Sequence, residues 1–235
     1  MQAFRSSNPV IKSVRDNTYA SDRPVTYSGV AAKTIFLILA LAASAYVTIM
    51  YLSQIGLGLL FGALIVGFIS VIVGTRSVKL APYCAFIYAI AEGSFIGFVS
   101  YVYSAFAEGI VPTAMITTGI VFVVMLLFYS TGIIKVTQRF ASILVVALIS
   151  VIIMAFLSII LSFATTSYIY YIVCIVSAFL SAAFLLLDFE SIRNCVDQGT
   201  DARYGWILSL GLLVTVVWIY IEILRLLFIF GRRVK

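Results

Sequence analysis

The chain has no histidine among its 235 residues. That absence excludes a Ser–His dyad or triad, a histidine-bearing zinc site and the usual side-chain proton shuttle. Charge is almost as scarce: Asp, Glu, Lys and Arg make up 10% of the sequence, where a soluble domain carries roughly a quarter. The glycine-rich dinucleotide fingerprint and the phosphate-loop pattern are also missing, so neither an enzyme nor a resident cofactor is expected. Three cysteines, Cys84, Cys174 and Cys195, lack paired spacing and read as small apolar packing residues.

What fills the sequence instead is apolar, at 63% hydrophobic with a mean hydropathy of +1.18. A bilayer-spanning helix needs about 20 such residues, and seven stretches qualify: 30–52, 55–74, 80–103, 110–132, 140–163, 168–188 and 206–230. Strand-type alternation is absent, and a spanning segment must satisfy its own backbone polar groups, so helices are expected over a barrel. The expected fold class is all-α: a polytopic membrane protein of seven transmembrane helices in one bundle, residues 30–235. A polar tail, 1–29, precedes it; without a signal-peptide core it is expected to be retained, with the first helix as insertion signal.

The net charge of +6 reads as topology rather than nucleic-acid binding. Arg5, Lys12, Arg15 and Arg23 lie in the tail, Arg76 and Lys79 between helices 2 and 3, and Lys135 and Arg139 between 4 and 5. The alternate connections carry no basic residue, which predicts a cytoplasmic N-terminus in a multi-pass cell-membrane protein. Seven full spans then place the closing "GRRVK" outside, against the same rule. Small residues four apart, Gly58 with Gly62, Gly93 with Gly97 and Ser177 with Ser181, predict close helix approach. The connection 189–205 is expected to continue helix 6 and to break near Gly199.

Within the apolar stretches four residues can ionise: Glu92, Asp188, Glu222 and Arg225. A charge at the bilayer centre costs about 2.5–3.5 kcal/mol on insertion scales, and such residues usually face the interior or a water-filled path. Glu222 and Arg225 are three apart and can pair on one helix. Glu92 can bond a neighbouring helix, and Asp188 can be wet at a boundary. Three acids together point further, to an acid-lined path for protons or a cation such as Ca²⁺, which takes hard oxygen ligands.

"FLLLDFESI" at the end of helix 6, with a last helix ending "EILRLLF", resembles the Bax inhibitor-1 (transmembrane Bax inhibitor motif) family. "RSSNPV", "YAIAEG" and "GLLVTVVWIYIEILRLL" are similar to its bacterial branch. The resemblance implies a central seventh helix wrapped by the other six. It also implies a pH-sensitive calcium leak controlled by two buried aspartates on helices 6 and 7, with an arginine at the end of helix 2 pairing with the helix-6 acid. Carried over, that acid is Asp188 and the arginine is Arg76. The second aspartate falls on Thr215, ten residues before Arg225, and the nearest acid is Glu222. Glu92, Asp188 and Glu222 would meet Ca²⁺ only in transit, and Ca²⁺, protons and lipid are the implied partners. The family's other implied role is a non-conducting regulator that binds membrane proteases or other membrane proteins. A bacterial plasma membrane is favoured over the endoplasmic reticulum. The sequence leaves oligomeric state open.

Overall fold

A computed structural model describes residues 23–51, 56–160 and 167–231. Its helices are α1 (Tyr27–Met50), α2 (Leu57–Arg76), α3 (Ala81–Ser104), α4 (Ile110–Ser130), α5 (Gln138–Ile160), α6 (Ser167–Asp197) and α7 (Tyr204–Gly231). Six are long and apolar enough to cross a membrane, while α5 presents a shorter apolar stretch, Gln138–Met154, among the described residues. Arg5, Lys12, Arg15 and the basic residues after Gly231 lie outside the described residues.

Local chemistry sets the ends. The Thr26 hydroxyl accepts from the Gly29 amide at 3.1 Å and caps α1, satisfying a donor with no partner inside the helix. Pro82 stands in the first turn of α3, where its missing N–H is harmless. Helix α6 runs nine residues past Asp188 to Asp197 and stops before Gly199, whose φ of +64° only glycine adopts without penalty. At about 46 Å it is longer than a hydrocarbon core of about 30 Å, so its charged last turns project beyond the apolar layer.

The seventh helix is the centre. Among the described residues α7 packs against α1, α2, α3, α4 and α6, and 61% of its apolar stretch is buried, against 17% for α1 and for α4. The departure from the expected arrangement is α5, which among the described residues leans on α6 alone. The chain entering α1 is strapped to the α6–α7 connection: the Val25 amide donates to Thr200 O at 2.7 Å and the Ala202 amide to Arg23 O at 3.0 Å. Lys33 of α1 closes the strap, its Nζ donating to Ala202 O at 2.8 Å and lying 5.6 Å from the Trp206 ring centre. The starts of α1 and α7 therefore share one end of the bundle.

Lipid offers no hydrophobic drive between helices, so close backbone approach must. Gly93 and Gly97 supply it: a Cβ on either would run into the α1 backbone at Leu41 O or Ala45 O. Gly58 and Gly62 do not, because nothing lies within 4 Å of a Cβ built there. Replacing Gly97 with Val is expected to force α1 and α3 apart at about 1–3 kcal/mol, lowering the thermal midpoint in detergent. Gly62→Val is expected to leave it nearly unchanged.

Candidate functional site

Helix α6 turns one stripe toward α7, formed by Ser177, Ser181, Leu185, Asp188 and Ile192, all three or four residues apart as a single helical face requires. The facing stripe of α7 is Gly211, Thr215, Trp218 and Glu222. The two helices run antiparallel. Asp188 lies against Gly211 and Thr215, and Ser177 lies against Glu222. Eleven residues separate the two levels on each helix, about 16 Å along the axis.

At the upper level Asp188 is half-buried as a residue, but its Oδ2 is wholly enclosed and has no hydrogen-bond partner. A Cβ on Gly211 would come to 3.8 Å from Oδ1, so the glycine leaves the carboxyl its space. The Thr215 hydroxyl faces the carboxyl and also lies 3.3 Å from Gly211 O. A hydroxyl has one proton to donate, so the carboxylate and the carbonyl compete for it. An ionised Asp188 thus has at most one neutral donor at this level and no ion pair.

The expected partner does not arrive. No ion pair joins Arg76 to Asp188, and Arg76 is exposed at the end of α2. Helix α2 packs on α3 and α7, α6 packs on α7, and α2 and α6 make no contact among the described residues.

Glu222 occupies the lower level and is 4% exposed. Its oxygens accept from Ser177 Oγ at 2.8 Å, Trp218 Nε1 at 3.3 Å and Arg225 Nη1 at 3.1 Å. A carboxylate so supplied with donors is a structural tie between α6 and α7, and its distance from Asp188 prevents the two from sharing a proton. Glu92 is half-buried on α3 and faces α2, where a Cβ on Gly67 would lie 3.5 Å from Oε2. The three acids do not converge, and no group of three metal-ligating side chains exists among the described residues. A Ca²⁺ ion would meet them singly.

Three polar links were not anticipated from sequence: Ser177 to Glu222, Ser100 Oγ to Tyr220 Oη at 2.7 Å, and Tyr129 Oη donating to Glu190 Oε2 at 2.7 Å. The eleven-residue spacing from Ser177 to Asp188 was the available signal for the first. The cysteines are free, with Cys84 and Cys174 buried, in keeping with packing roles.

Glu222 is buried while Arg225 is about a third exposed, so removing the carboxylate is expected to cost less than the roughly 3–5 kcal/mol of a fully buried pair. Glu222→Ala is therefore expected to lower the thermal midpoint sharply, and Glu222→Gln, which keeps an acceptor for Ser177, to lower it less. Equal midpoints for the two variants in a melting experiment would show that the α6–α7 tie does not depend on this side chain's polar contacts.

The family model described as Bax inhibitor 1 like matches residues 8–232. Among curated proteins, none matches the chain.

Proposed function

Because the chain belongs to the Bax inhibitor 1 like family, we propose that it is a pH-sensitive cation leak, Ca²⁺ foremost, with Asp188 as the proton-responsive group. The observation that carries this reading is the enclosed, partnerless Oδ2 of Asp188 at the seam between α6 and the central helix. Taking a proton converts that group from an acceptor short of donors into a donor, with the Thr215 hydroxyl and the Gly211 carbonyl within the same cluster. The change of charge alters how α6 seats on α7, a local electrostatic event with a bundle-wide consequence. Glu92, with its partly open carboxyl, is the second acid such a path would use. Glu222 and Arg225 hold the lower seam. Arg76 acts on the path only through its field at the bundle end, since it does not touch Asp188. A cytoplasmic N-terminus in a cell membrane belongs to this reading, and the basic residues around α2–α3 and α4–α5 support it.

A second reading is favoured by the separation of the acids and by Thr215 standing where the resemblance implies an aspartate. In it the bundle is a non-conducting regulator that binds membrane proteases or other membrane proteins.

Purified protein in liposomes loaded with a calcium dye tests both. The first reading expects Ca²⁺ flux above that of empty liposomes, changing by up to about tenfold per pH unit as one proton requires. Asp188→Asn should flatten that dependence. An unchanged pH profile in the variant removes Asp188 from the control, and no flux at any pH favours the regulator.

A further inference from the structure

At the end of the bundle where α6 projects beyond the apolar layer, the seam between α6 and α7 is covered by a short piece of chain. Residues Arg23 to Thr26 cross it before α1 begins. Pro24 pairs with Asp201 in an isolated antiparallel bridge, with the Val25 amide donating to Thr200 O at 2.7 Å and the Ala202 amide to Arg23 O at 3.0 Å. Pro24 takes the place in this bridge whose own N–H would point away from the partner, so its missing donor costs nothing there. Val25 is 3% exposed. A Cβ on Gly205, in the first turn of α7, would lie 3.5 Å from its Cγ2, and Val25 shares its buried cluster with Phe189 and Ile192 of α6.

Ile192 stands one helical turn beyond Asp188 toward this end, and Gly205 precedes Gly211 by six residues, about 9 Å along the axis. Val25 therefore plugs the seam just short of the level at which Gly211 and Thr215 face Asp188. One further side chain holds the plug. Lys33 Nζ donates to Ala202 O at 2.8 Å, beside the Trp206 ring. It occupies the space that Gly205 leaves, because a Cβ there would stand 2.6 Å from Nζ. The carboxylate of Asp201 is spent locally, its Oδ1 accepting the Arg203 amide at 2.7 Å. An isolated pair of strands has little stability of its own. One valine, two backbone bonds and one lysine contact are a small set to hold a cover over a buried carboxyl.

We propose that residues 23–26 are a releasable lid on the α6–α7 seam: closed, they keep water and protons from Asp188, and open, they admit them. The inference rests on the reading of Asp188 as the proton-responsive group and adds its route of access. The enclosed, partnerless Oδ2 needs a source of protons, and hydrocarbon supplies none. In the opposite direction the seam is closed by Glu222 with Ser177, Trp218 and Arg225. Water entering from the strapped end meets Val25 first, and moving four residues of chain outside the helices clears the way without unpacking α6 from α7.

A disulfide across the bridge tests this. Residues paired as Pro24 and Asp201 are bring their Cα atoms to about 4.5 Å, within disulfide reach. The full chain with Pro24→Cys and Asp201→Cys, and Cys195→Ser to prevent exchange, gives locked and reduced forms of one protein. In nanodiscs, a water-soluble carbodiimide with glycine ethyl ester labels carboxyls that water reaches, and peptide masses locate the label. Labelling of a buried group follows the population of its open state, so the lock is expected to cut Asp188 labelling about tenfold. Asp197, whose side chain is exposed, should label equally in both forms. In Gly205→Ala the new Cβ displaces the Lys33 ammonium rather than any backbone, which should raise Asp188 labelling severalfold at a nearly unchanged thermal midpoint. Equal Asp188 labelling in the locked and reduced forms, or no rise in a Gly205→Ala protein that melts like the parent, overturns the lid. Calcium flux from the same preparations separates the two readings. Lock-sensitive labelling without flux supports the lid and counts against the leak, whereas flux with lock-insensitive labelling supports the leak and removes the lid.

Discussion

The antiparallel register of α6 on α7 is the constraint from which the site follows. Hydrocarbon supplies no hydrogen bonds, so each polar atom inside the bundle depends on what the facing helix places at its height. Ser177, Trp218 and Arg225 meet Glu222 at one height. At the other, Asp188 meets a glycine and one hydroxyl. The same pair of helices thus contains one carboxylate fully supplied and one left short, and the difference is register rather than residue type. A shift of one residue along the seam would reverse neither acid's cost but would remove both sets of partners.

A polar network that is fully satisfied rigidifies, while a partly satisfied one concentrates energetic sensitivity at a single atom. Glu222 therefore reads as the fixed point of the seam and Asp188 as its responsive point. The glycines at 93 and 97 serve the opposite wall. They lock α1 to α3 by backbone contact.

Most of the fold was legible in the sequence, because a run of about 20 apolar residues has few alternatives to a membrane helix. Only the apolar part of α6 ends at Asp188; its continuation through charged residues to Asp197, short of Gly199, agrees with the expectation for the 189–205 connection. Thr215 was singled out by the resemblance, whose second aspartate falls there when counted back from Arg225, and it lies beside Asp188. Pairing Arg76 with Asp188 needed the lateral order of the helices, which spacing does not contain, and among the described residues α2 and α6 do not meet. Gly58–Gly62 and Gly93–Gly97 have the same spacing, yet among the described residues only the second has a neighbour to approach. A small-residue motif specifies a face, and the rest of the bundle decides whether that face is used.

Thr215 also changes what kind of titration the seam can support. Two carboxylates in contact lose their protons in coupled steps that belong to the pair. Asp188 beside a hydroxyl, with Glu222 about 16 Å away along the axis, is a one-proton group.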